Sequence, residues 1–136
     1  MIDGEYPAFV DTNILVRHLT GDPPAMAQRA TRHLREATVM LLVDIVVAEV
    51  VFVLESYYGR PRAAIADAIR ALVDFRSIRV VDPDLLHRTI EIYEHDRLDF
   101  ADAYIVAAAE RSGANVVVSF DRSIDRVGTV TRIEPT

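Results

Sequence analysis

The chain has 136 residues, 51% hydrophobic and 26% charged, which is long enough to bury one core and too apolar for intrinsic disorder. It contains no Cys, and this excludes disulfides, thiolate zinc sites and a cysteine nucleophile. A formal net charge of −6 argues against a simple basic nucleic-acid binder, yet an excess of carboxylates is tolerable around a divalent cation.

Residues 1–5, Met-Ile-Asp-Gly-Glu, are acidic and lack an apolar run, so they do not read as a signal peptide. The short apolar run at Ala8-Phe9-Val10 predicts a strand that breaks at Asp11-Thr12-Asn13. A brief helix over 14–19 and a turn at Gly21-Asp22-Pro23-Pro24 follow. Residues 25–36 predict a helix with Ala27, Ala30, Leu34 and Ala37 on one side, and 39–43 a buried strand. The helix expected over 46–58 stops at Gly59. The next, over 62–75, repeats Ile65, Ile69, Leu72 and Val73 at spacings of three and four.

A strand over 78–81 precedes Asp82-Pro83, an N-cap and N1 proline that open a helix to about residue 94. Residues 100–112 form a helix closed by Gly113, and strands over 115–119 and 130–133 end the series. This alternation predicts one α/β domain over 1–136, with a mainly parallel sheet and helices on both faces. The apolar stretches 45–48 and 50–54, split by Glu49, are too short to span a bilayer, so a soluble, cytoplasmic protein is expected.

Four acids stand out from this frame. Asp11 and Asp121 follow strands directly, and ligands of parallel sheets bind at the carboxyl ends of strands; each could also merely cap a helix or start a turn. Glu49 has only apolar neighbours at helical spacing (Ile45, Val46, Phe52, Val53), so it is expected to be buried and to need a cation or an Arg partner. Asp102 shares a helix face with Ile105, Val106 and Ala109, and is expected to point inward. Asp99, one turn earlier, reads as the N-cap of that helix. An all-oxygen donor set selects a hard cation, Mg²⁺ or Mn²⁺, which suits phosphoryl chemistry through activated water. The four His residues show no ligand spacing and read as surface or edge residues.

The segments Asp11-Thr12-Asn13-Ile14-Leu15, the lone Glu49, Asp99-Phe100-Ala101-Asp102-Ala103-Tyr104-Ile105 and Val118-Ser119-Phe120-Asp121-Arg122 resemble those of PIN-domain nucleases. Within these, the chain is most similar to the VapC toxins of toxin–antitoxin pairs. The resemblance implies a three-layer α/β/α sandwich and a Mg²⁺- or Mn²⁺-dependent endoribonuclease, generally a homodimer. It implies Asp11, Glu49, Asp102 and Asp121 as the acidic quartet, with Asn13 and Ser119 supporting Asp11 and Asp121 by hydrogen bonds. It also implies a cognate VapB-type antitoxin. Ser123 stands where many relatives carry a further acid, with Asp125 nearby but displaced.

Two other classes compete. An aspartyl-phosphate phosphatase or receiver-type protein would need a Lys for the phosphoryl oxygens, and all 15 basic residues here are Arg. An inactive PIN-like binding module would be expected to lose some of the four acids.

Overall fold

The structure, a computed structural model, describes residues 8–136, so the acidic segment 1–5 lies outside the described residues. Two units divide the chain, Met1–Val81 and Asp82–Thr136.

In the first unit, β1 (Ala8–Phe9), β2 (Met40–Leu41) and β3 (Ile78–Arg79) pair in parallel, with β2 in the middle. The registers are Ala8 with Met40 and Met40 with Ile78. These strands are two residues long, shorter than the apolar runs suggest. Flanking ladder bonds such as Val10 N–H to the Leu41 carbonyl (3.0 Å) and Leu42 N–H to the Arg79 carbonyl (2.8 Å) extend the pairing.

The crossovers are α1 (Thr12–Thr20) with α2 (Pro24–Glu36), and α3 (Asp44–Ser56) with α4 (Arg62–Val73). α1 ends on Gly21, whose φ of 72° suits a residue without a Cβ, and its N–H caps the Arg17 carbonyl at 2.8 Å. The predicted stripes of α2 and α4 are largely the observed ones: Ala27, Ala30, Leu34, Ile65, Ile69, Leu72 and Val73 are buried, whereas Ala37 lies just past the end of α2 and is half-buried. Full burial of a side chain such as Leu34 contributes about 2 kcal/mol.

His18 departs from its expected surface role. It is half-buried in α1, with Nδ1 2.8 Å from the Thr31 hydroxyl of α2 and its ring edge-on to Phe75 at 5.8 Å. Burial, and then the Arg35 charge, hold its pKa below the ordinary 6.5. The folded state therefore favours neutral His18; that stability is complete above 6.5 and is lost as pH falls through the lowered value. We expect the melting temperature to fall on acidification from neutral pH to about 5, and to fall less in His18→Gln. Equal slopes in a thermal melt series would contradict this.

In the second unit, β4 (Val116–Val118) and β5 (Thr131–Ile133) pair in parallel. Asp82 caps α5 (Pro83–Glu91) by accepting the Leu85 N–H at 3.1 Å. The helix expected to reach residue 94 instead widens into a π-type turn, Ile92–Asp96, closed by Arg97 at φ 60°. Ile92 and Tyr93 of this turn are both fully buried. Then α6 (Phe100–Ser112) ends on Gly113, whose φ is 80°. A bidentate Arg88–Glu110 pair (2.7 and 2.8 Å) ties α5 to α6. The α/β class with parallel pairing is as expected from the alternation. No helix among the described residues is long and apolar enough to cross a membrane.

Candidate active site

Asp11 emerges one residue beyond β1, after the buried Val10. It is the N-cap of α1, and its Oδ1 accepts the Thr12 N–H at 2.8 Å. The next side chain, Thr12, is buried, and its hydroxyl donates to the Glu49 carboxylate of α3. Asp11, Thr12, Asn13, Arg17 and Glu49 line a groove of about 340 Å³. Thr12 was not singled out from sequence. Only its place inside the Asp-Thr-Asn segment pointed to it, because its partner lies 37 residues away.

Two expectations need correction here. Glu49 is exposed, not buried, because the apolar residues around it are themselves open: Ile45 is 76% and Phe52 59% exposed. The cost of burying a charge therefore does not apply to it. Asn13 lines the groove, but among the described residues no hydrogen bond joins it to Asp11.

In the second unit, Asp102 lies in the first turn of α6 and is only half-buried, since Ile105 on its predicted inward face is 49% exposed. Asp121 lies just beyond β4 and caps a 3₁₀ turn, Arg122–Arg126, accepting the Ser123 N–H at 2.9 Å. Its own N–H donates to the Ser119 hydroxyl at 2.9 Å.

The Asp102 and Asp121 carboxyls are close neighbours, and each shifts the titration of the other. Burial, followed by the Asp121 hydrogen bond and charge and then the Asp99 charge, raises the pKa of Asp102. The backbone and hydroxyl of Ser123 lower that of Asp121, helped by the Asp102 bond and the Arg126 charge. Asp99 occupies the N-cap position of α6 without a side-chain capping bond. Asp125 is engaged elsewhere, in a bidentate pair with Arg132 at 3.0 and 3.1 Å.

Among the described residues, no group of three or more His, Cys, Asp or Glu side chains is placed to hold a metal ion. The donor chemistry nevertheless fits a hard divalent cation. The acids offer only oxygen, and Asp102 beside Asp121 places two carboxyls where a cation would relieve their repulsion.

Carboxylates at the ends of parallel strands place the chain in the class of acid-site α/β proteins. It belongs to the PIN domain family, which it matches over residues 8–130, a span that takes in both units. Members of this family are generally nucleases and typically bind divalent metals. No curated protein matches the chain significantly.

Proposed function

We propose that the protein is a Mg²⁺- or Mn²⁺-dependent endoribonuclease acting as the VapC-type toxin of a toxin–antitoxin pair. The observation that carries the nuclease reading is the neighbouring Asp102 and Asp121 carboxyls, at the start of α6 and the end of β4, in a family whose members are generally nucleases. The proposed metal-ligating acids are Asp102 and Asp121 in one unit and Asp11 and Glu49 in the other. When bound, the cation supplies Lewis acidity toward a phosphodiester and an acidified water.

The chain's own residues set the terms. Thr12 orients Glu49 by its hydroxyl, the Thr12 N–H at the start of α1 aims Asp11, and the Ser123 N–H holds Asp121 and favours its ionised form. No residue here acts as a nucleophile, which separates this reading from the aspartyl-phosphate class. The toxin role, a VapB-type antitoxin, homodimer assembly and a cytoplasmic location are supported by the motif resemblance.

The test is incubation of total cellular RNA with purified protein in Mg²⁺ or Mn²⁺, and in EDTA, beside Glu49→Gln. Discrete fragments that EDTA and the substitution both suppress are expected. Intact RNA in every lane, with well-folded protein, would favour the inactive binding module.

A further inference from the structure

The arginines of this acidic chain are not spread evenly in their engagements. Arg70 pairs with Asp67, Arg88 with Glu91 and Glu110, Arg111 with Asp82 and Asp84, and Arg132 with Asp125 and Glu134. By contrast, Arg29 and Arg32 on α2 are exposed, and among the described residues neither makes a hydrogen bond or ion pair. Residues 12–36 carry four Arg against two acids, within a chain of net charge −6. Glu36 lines the same grooves, but among the described residues it makes no ion pair with either arginine, so a local excess of positive charge persists here.

Its position gives it a use. Arg29 and Arg32 lie one helical turn apart and line, with Arg17, His33 and Asn13, a groove of about 470 Å³. Asn13 and Arg17 also line the groove that holds Asp11 and Glu49. The acid groove therefore opens into the arginine groove along one side of α1. Arg32 also faces a further groove with His18, Thr31, Arg35 and Glu36, so the positive row continues along α2. Guanidinium forks match phosphate geometry, and phosphates positioned this way fix a strand's register without reading its bases.

The geometry points to the α1–α2 face as the track for single-stranded RNA, with Arg29 and Arg32 binding backbone phosphates beside the bond held at Asp11 and Glu49. This rests on the ribonuclease reading for its substrate, but it concerns binding and not hydrolysis. Arg29 and Arg32 are positioning residues, which touch phosphates away from the reacting atoms.

The experiment measures binding of fluorescent poly(U) to metal-free protein across roughly 50 to 200 mM KCl. Each phosphate neutralised on a single strand contributes about 0.7 to the salt slope, so Arg29→Ala/Arg32→Ala should lower the slope by about 1.4. The same relation weakens binding between about 10- and 30-fold near 0.1 M salt. Arg60→Ala/Arg70→Ala removes the same net charge away from α2 and should leave slope and affinity near wild type. Circular dichroism verifies folding of each variant, and both substituted α2 positions are exposed.

An unchanged slope in the α2 variant, equal losses in both double variants, or no binding by wild type would each overturn the track. Poly-glutamate displacing poly(U) at equal charge would also overturn it, in favour of an acidic protein partner. EDTA-sensitive cleavage with wild-type binding by the α2 variant would remove the track and leave the nuclease. Loss of binding in that variant, with no cleavage by any form, would leave the track and remove the nuclease.

Discussion

Asp11→Asn is expected to lower RNA cleavage by at least about 10²-fold while leaving the fold unchanged. Two roles of one side chain separate in this substitution. The N-cap role needs only an oxygen that accepts the Thr12 N–H, and Asn supplies one as well as Asp does. The proposed ligand role needs negative charge, which Asn lacks. Asp11→Ala removes both roles and should also cost about 1 kcal/mol of stability through the lost cap. Single-turnover cleavage beside thermal melts tests the pair. Wild-type cleavage by Asp11→Asn would remove Asp11 from the site.

The second large effect concerns Asp102→Asn, which should abolish cleavage yet raise the melting temperature of the metal-free protein by a few degrees. In the wild type the raised pKa of Asp102 marks a carboxyl whose ionised form is disfavoured beside Asp121. Its contribution to stability is present below the ordinary carboxylate value of 3.8 and is lost as pH rises through the raised value. Asn keeps a donor for Asp121 and never ionises, so that loss disappears. Mg²⁺ should raise the melting temperature of the wild type and shift the variant little. Calorimetry at neutral pH decides it. A variant less stable than wild type without metal, or one equally stabilised by Mg²⁺, would contradict the carboxyl-pair account.

Much of the architecture was readable because the signals were local. The Asp82-Pro83 start of α5, the Gly113 stop of α6 and the full extent of α6 follow from caps and breakers within a few residues. The three-and-four spacing in α4 named its buried face.

What was missed depends on tertiary context. α3 is apolar nearly all round, so periodicity cannot choose its buried side; Glu49 fell on the open one, beside Ile45 and Phe52. The Thr12–Glu49 bond and the His18–Thr31–Phe75 contacts join separate elements, and no local pattern encodes them. Asp125 resembled a displaced ligand in sequence, but Arg132 seven residues on accounts for it. The unquenched arginines of α2 were likewise invisible, because a list of charges does not say which are paired.

Arg132 also has a thermodynamic consequence. Its guanidinium, only 11% exposed, binds Asp125, Glu134 and the Ser119 carbonyl together. One rigid fork thereby fastens the end of β4 and the turn that follows it, the segment that carries Asp121. The chain freedom of that segment is surrendered during folding, before any ligand arrives. Association then begins from an ordered carboxylate, and preorganisation of this kind preserves affinity that a mobile loop would forfeit.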